Sequence, residues 1–511
     1  MALISGALDT RGERTLLARS FHTTDSIMTR LADPRLFRER AHVGGKWCSA
    51  RSGAVVEVTN PATGALIGTV PDMGAAETRD AVAAAVSAFP AWRATLPRER
   101  GRVLRRWAEL MLEHREDLAI VMTIEQGKPL AESRGEIDYA ASFVEWFAEE
   151  GQRANVEGVT PHLADCAMVL RREPVGVTAA VTPWNFPSAM ITRKAAAALA
   201  AGCPMVVRPA SETPYSALAL AELAERAGVP AGVFSVVTGA PEPIVGELCA
   251  NPTVRALSFT GSTAVGKRLL AAGAATVKRM SMELGGHAPF ILFPDVELEK
   301  AVAGAMAAKF ATTGQDCLAA NRIYVHRGIH DRFVTAFTRA TAALKIGDGL
   351  DPAVELGPLM HARAVDKCRE HVEDAVSKGA RVTTGGGVDP ALGGLFFQPT
   401  VLTGVTPDML IYREETFGPV APIVAFDDGD DIAALANDSE YGLAAYLFTN
   451  DHGRVQRLTR ALDYGMVAVN RVKLTGAPVP FGGVKQSGLG REGGRLGLEE
   501  FTEVKYLCLN A

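Results

Sequence analysis

The chain has 511 residues, 48% of them hydrophobic and 22% charged, with a formal net charge of −5. That is too long for one hydrophobic core and implies two or three domains of a soluble globular protein. Mild acidity argues against nucleic acid as a main partner, and no apolar run is long enough to span a bilayer.

The segment MALISGALDTRGERTLLARSFHTTDSI mixes Arg, Ser and Thr with Asp9, Glu13 and Asp25 and has no long apolar stretch. A targeting signal is therefore not expected. The segment reads as a disordered extension, drawn here to residue 36, or as the product of a start codon upstream of Met28. From about Glu77 to Glu150, apolar residues recur at three- and four-residue spacing, which predicts helices punctuated by Pro97 and Pro129. The stretch from Gln152 to Arg172 reads as strands lying outside the main sheets.

From Val175 the pattern changes. GVTAAVTPWNFP is a short apolar strand ending in a turn, and ITRKAAAALAAG is a helix stopping at Gly202. PMVVRPA, FSVVTG and ALSFTG follow as strands, with helices between them. After Gly286 the alternation repeats through PFILF, NRIYV, FFQPTVL and APIVAF. Strands alternating with helices predict parallel sheets with crossover helices. The expected fold class is α/β, with two Rossmann-like parallel-sheet domains and a small β element for oligomerisation. Residues 37–151 and 175–285 would form a dinucleotide-binding domain and 286–486 a catalytic domain. Residues 152–174 and 487–511 would be strands that pair between subunits.

The chemistry concentrates in a few segments. MELGGHAPF places Glu283 before a Gly-Gly turn, and TTGQDCLAANR places Cys317 in a small polar loop. A thiolate to attack a carbonyl and a carboxylate to activate a water are what covalent catalysis needs. A lone cysteine is more often a buried, inert one, so neither segment decides the matter alone. SFTGSTAVGKRLL runs a strand into Gly261 and Ser262 and opens a helix carrying Gly266, a place where a phosphate can meet unpaired N–H groups. The spacing is not GxGxxG, and a plain strand–turn–helix reads as well. VTPWNFP holds Trp184 and Asn185 between prolines at a strand end, where ligands of open α/β sheets sit. The Asn185 amide can donate to an oxyanion, or merely cap a packing turn. In EETFGPVAPI, Glu414 and Glu415 precede a turn. A carboxylate there can accept from ribose hydroxyls, or simply face water. The seven cysteines (48, 166, 203, 249, 317, 368 and 508) contain no CxxC pair. Neither a disulfide framework nor a metal site is expected, and a cytoplasmic setting fits.

Together, TPWNFP, VRPASETP, FTGSTAVG, MELGG, GQDC, EETFGP and PFGGVKQSGLGREGG resemble the aldehyde dehydrogenase superfamily in its own motif order. The resemblance runs from about Val43 to the C-terminus. EQGKPLAESRGEIDYAASFVEWFAEE, WNFPSAMITRKAAAALAAGCPMVV and SGLGREGG are most similar to its succinate-semialdehyde dehydrogenase branch. The resemblance implies that Cys317 forms a thiohemiacetal and then a thioester. It implies that Asn185 and the Cys317 N–H hold the oxyanion, that Glu283 activates the hydrolytic water, and that Lys194 joins a proton relay or holds the cofactor. Trp184, Gly261, Ser262 and Gly266 would lie along the pyrophosphate, Glu415 at the nicotinamide ribose and Phe417 beside the ring. Arg208 stands where the superfamily usually has Lys, and Ser211 where members preferring NAD often have Glu. The pair favours NADP slightly over NAD, because Arg can bind a 2′-phosphate that Glu would repel. Glu283 argues against the acylating branch that transfers to coenzyme A. A homotetramer or homodimer is implied.

In that branch, an Arg matching Arg193 binds the substrate carboxylate, and a second Arg often follows Lys-Phe. Here Lys309-Phe310 is followed by Ala311. Arg471, Lys473 and Thr475 in NRVKLTGAPVPFGG are candidate replacements. The expected substrate is an ω-acid aldehyde, with succinate semialdehyde first. The alternatives are glutarate semialdehyde, an aminoaldehyde or an aromatic aldehyde. Ala319 replaces the second cysteine found two residues after the nucleophile in some relatives, so a redox disulfide there is not expected. Asp316 directly precedes Cys317, and a nearby anion favours thiol over thiolate.

Overall fold

The computed structural model describes residues 27–153 and 156–510. The expected disorder of residues 1–26 lies outside the described residues. Residues 27–36, also assigned to the extension, are instead part of the fold. Ile27, Leu31 and Leu36 are buried in the largest apolar cluster, and Ala32 and Asp33 donate backbone N–H groups to Asp117.

Two large sheets carry the molecule. The first runs, edge to edge, Gly488–Leu489, Arg279–Glu283, Val254–Thr260, Val177–Val181, Met205–Arg208, Phe234–Val236, Ala41–Val43 and Lys46–Cys48. Its five central strands are parallel, Gly488–Leu489 and Ala41–Val43 run antiparallel to them, and Lys46–Cys48 pairs antiparallel with Ala41–Val43. The second runs Arg381–Thr384, Thr400–Thr403, Val420–Phe426, Ala320–His326, Ala288–Leu292, Ala444–Phe448 and Met466–Val469. All its neighbours are parallel except the first pair. Strands such as Val177–Val181 and Ala320–His326 are buried at every residue, because helices cover both faces of a parallel sheet. The helix Ala189–Ala201 is buried all round and stops at Gly202, whose φ of +95° suits glycine.

A third sheet pairs Thr502–Asn510 with Cys166–Pro174 and then with Glu157–Val159. Only the last part of the segment 487–511 lies in it. Gly488–Leu489 closes the edge of the first sheet against Met282 and Glu283, and Gly494–Glu499 is a helix with Leu498 in the largest core cluster. The chain therefore returns from the second sheet to the first before leaving for the third. The FFQPTVL stretch is a strand only over Thr400–Thr403, since Pro399 cannot donate to a ladder.

Candidate active site

The carboxyl ends of the first sheet's strands meet the amino ends of the second's. Glu283, Thr260, Asn185 and Arg208 all stand at or just beyond the former. Cys317 precedes Ala320–His326, and Glu415 precedes Val420–Phe426. The two halves touch through Gly285-Gly286. The Gly286 N–H donates to Glu415 Oε1 at 2.8 Å, and a Cβ on Gly286 would stand 2.1 Å from the Cys317 carbonyl oxygen. No side chain fits there, which is why a glycine follows the Glu-Leu pair.

The nucleophile loop is strained and tied down. Thr312, Thr313 and Gly314 all have positive φ, which is unfavourable for β-branched residues. Glu132 accepts from the Thr312 N–H and hydroxyl, and Thr313 Oγ1 donates to Gly357. Gln315 donates to Pro358 and accepts from the Met360 N–H. The Asn185 amide donates to the Gln315 carbonyl at 3.0 Å, which brings Asn185 beside the cysteine loop.

Cys317 is partly exposed and sits with Leu318, Val472 and Leu474 against the second sheet's core. Burial pushes its thiol well above the ordinary range, and Asp316 and Glu415 push it further. The Asp316 carboxylate accepts from the Leu318 N–H at 3.0 Å and lies near enough to Cys317 to oppose ionisation of the thiol. Glu283 is only 2% exposed, and neither of its carboxylate oxygens has a hydrogen-bond partner. Burial first, and then repulsion from Glu492, hold its carboxyl well above the usual carboxylate range. An unpartnered buried carboxylate is rare and calls for a reason. Readiness to take a proton from water supplies one.

Arg193 is not a free anchor for a substrate. It is 1% exposed, donates from Nε to Glu492 at 2.7 Å, and lies 4.0 Å from the centre of the Phe481 ring. Lys194 is buried beside it and donates to Thr260 Oγ1 at 2.6 Å and to Glu492. An unpaired guanidinium at this depth would be costly, and Glu492, distant in sequence, removes that cost. Glu492 was missed in the sequence although its motif was legible. Lys128 and Glu136 were missed too. Glu136 accepts from the Ser188 and Ala189 N–H groups at the start of the helix Ala189–Ala201. Lys128 bridges Glu136 and the Asn185 carbonyl at 2.6 Å each, which fixes the turn carrying Asn185. Only the run EQGKP…GE hinted at them.

Among the remaining candidates, Ser211 lines a cavity with Met360 and His361. Arg208 Nη2 donates to Ser211 Oγ at 2.6 Å and to Gly239 O, while its buried Nε has no partner. Ser262 caps the helix Thr263–Gly273, and the Gly261 N–H is bonded to Glu283 O. A Cβ on Gly266 would stand 2.4 Å from Leu284, so its missing side chain lets the helix pack closely on the Glu283 segment. The Trp184 ring stands edge-on to Phe417 and to His361, each 5.7 Å away. Glu415 is raised to about 7 by burial, opposed by its bond from Gly286. Thr475 is half-buried in the loop whose Val472 and Leu474 pack on the second sheet's core, while Arg471 and Lys473 are exposed on it. Among the described residues no cluster of His, Cys, Asp or Glu could hold a metal, and no helix is long and apolar enough to cross a membrane.

Residues 47–507 match the model of the aldehyde dehydrogenase family. The succinate-semialdehyde dehydrogenase [NADP(+)] of Escherichia coli is 55% identical over 94% of this chain and 99% of its own. The non-phosphorylating aspartate-semialdehyde dehydrogenase of Halomonas elongata is 56% identical over 95% of this chain and 98% of its own. The crystal structure of succinate-semialdehyde dehydrogenase from Burkholderia pseudomallei superposes with a TM-score of 0.93. It is 53% identical and covers 94% of this chain and 100% of its own.

Proposed function

The chain belongs to the aldehyde dehydrogenase family, and from that premise we propose that it oxidises succinate semialdehyde to succinate with NADP or NAD. The observation that carries the chemistry is the juxtaposition of Cys317, the Asn185 amide and the unpartnered Glu283 carboxylate. The Cys317 thiolate attacks the aldehyde carbon. The Asn185 side chain and the Cys317 N–H receive the oxyanion, each such donor being worth about 3 kcal/mol of barrier. A hydride then leaves the thiohemiacetal, and a thioester remains on Cys317. Glu283 takes a proton from water, and the hydroxide releases the acid. When bound, the nicotinamide supplies the hydride acceptor.

The residues of the cleft fit a nicotinamide dinucleotide. Ser262 opens a helix N-terminus toward it, and no carboxylate stands at position 211 to repel a 2′-phosphate. Arg208 keeps an unpartnered Nε close by, which supports acceptance of NADP. Arg471 and Lys473, exposed on the loop that also carries the half-buried Thr475, are candidates for the substrate's distal carboxylate. Residues 37–151 and 175–285 supply the cofactor side and 286–486 the nucleophile side, with Gly488–Leu489 returning to the former.

Exposed Val504 and Tyr506 on the strand Thr502–Asn510 support assembly into a homotetramer or homodimer, and seven cysteines without a CxxC pair support a cytoplasmic setting. The deciding experiment compares kcat/KM for succinate semialdehyde, glutarate semialdehyde, propanal and benzaldehyde with each cofactor. A clear advantage for the acid semialdehydes is expected. A profile favouring propanal or benzaldehyde would overturn the substrate and leave the chemistry standing.

A further inference from the structure

The backbone around Cys317 is fixed from several sides. Residues 316–319 form a turn closed by the Ala319 N–H, which donates to the Asp316 carbonyl at 3.0 Å. The Asp316 carboxylate ties the same turn by accepting from the Leu318 N–H at 3.0 Å. The Asn185 amide holds the Gln315 carbonyl, and Gly286 packs on the Cys317 carbonyl. The last tie comes from far along the chain. Tyr446, in the strand Ala444–Phe448, donates its hydroxyl to the Leu318 carbonyl at 2.9 Å.

That hydroxyl is out of character with its surroundings. Tyr446 is 2% exposed, stands opposite Phe290 on the neighbouring strand, and belongs to the apolar cluster against which Cys317 and Leu318 pack. For packing alone a Phe would serve. A buried phenol needs a partner for its O–H, and Tyr446 finds it in the backbone beside the nucleophile. Burial pushes the phenol well above its ordinary 10, and Asp316 and Cys317 push it further, so the hydroxyl stays a donor at working pH. The peptide planes on both sides of Leu318 are thus held, one through its N–H by Asp316 and the other through its C=O by Tyr446. The first of these planes begins at Cys317. Asp316 opposes ionisation of the thiol, yet its hold on the Leu318 N–H keeps the turn closed.

Resting on the reading of Cys317 as the nucleophile, we propose that Tyr446 is a positioning residue that, with Asp316, fixes the turn aiming the Cys317 sulfur and N–H at the aldehyde. It acts through the Leu318 carbonyl, and a small misplacement of reacting atoms costs more rate than the loss of one neutral hydrogen bond costs stability.

The test follows reduced nicotinamide in single turnovers, with the intact enzyme in excess and with succinate semialdehyde and propanal in parallel. Tyr446→Phe, which loses one oxygen, should slow this step at least ~10-fold, by the same factor for both aldehydes. Its Tm should fall by no more than ~3 °C, as for one hydrogen bond in a chain of this size. The pH profile of Cys317 alkylation by iodoacetamide, read by peptide mass, should stay in place, because the phenol's proton is committed to the Leu318 carbonyl. Asp316→Ala and Asp316→Asn remove the same charge, but only the amide can still accept the Leu318 N–H. The Ala variant should therefore be at least ~10-fold slower than the Asn variant. An unchanged single-turnover rate in Tyr446→Phe, a loss confined to one aldehyde, or an alkylation profile moved to higher pH would each overturn the positioning role. If Tyr446→Phe folds poorly, equal rates for the two Asp316 variants would overturn it. Full activity of Cys317→Ala would instead defeat the reading of the nucleophile beneath it.

Discussion

Glu283 is the proposed base. It is buried, has no donor, and faces Glu492 across the Arg193–Lys194 pair. Burial first, and then repulsion from Glu492, raise its carboxyl above the ordinary 4.5, against the pull of Arg193 and Lys194. A base acts in its deprotonated form, so turnover should rise with pH through that raised value. Glu283→Gln should remove this limb and cut the steady-state rate by about 10²-fold or more, the usual worth of a general base. Because acylation does not need the base, stopped-flow absorbance should still show a burst of reduced nicotinamide near one equivalent per site. Absence of the burst would place Glu283 before the thioester. On the cofactor side, Ser211→Glu should reduce kcat/KM for NADP at least ~10-fold, through repulsion of the 2′-phosphate and capture of Arg208. Its effect on NAD should be smaller, and an equal fall for both would remove Arg208 and Ser211 from cofactor choice.

At the scale of elements, the loop Ala311–Gly314 matters most. Three successive residues with positive φ cost about 1–3 kcal/mol each where they are not glycine. Glu132, Gly357, Pro358 and Met360 hold the loop in place. Gly314 closes the turn at φ +72°, where a Cβ would lie 2.3 Å from the Gly418 carbonyl oxygen. Gly314→Ala should therefore shift the cysteine loop, lowering Tm by several degrees and kcat by more than ~10-fold, since small misplacements of reacting groups are costly. Unchanged kcat would mean that the loop's strain has no part in placing Cys317. The turn carrying Asn185 is supported differently. Its WNFP sequence is stiff, but Lys128 and Glu136 fix where it points.

For the whole molecule, the decisive fact is that the chain crosses between the sheets more than once. The segment after Phe481 returns Glu492 to Arg193 and Lys194, puts Gly488–Leu489 on the first sheet and sends Thr502–Asn510 out to Cys166–Pro174. Val504 and Tyr506 on that strand are exposed in the single chain. Light scattering of the intact protein should give a dimer or tetramer, and a chain ending at Phe501 should give a smaller species. A monomer of the intact chain would refute assembly through this sheet.

The sequence alone carried the parallel-sheet architecture, because alternating buried strands and amphipathic helices are local patterns with fixed periods. It also singled out Cys317, Glu283, Asn185, Arg208 and Ser211 as candidates, because each lies in a segment whose composition is unusual over a few residues. The tertiary structure alone decided which charges are already paired. Arg193 reads in sequence as a free cation, and Glu492 closes on it from 299 residues away. Whether Gly266 packs on Leu284 and whether residues 27–36 join the core are of the same kind. Each depends on contacts between segments far apart in the chain, and such contacts leave no periodicity for a sequence to display.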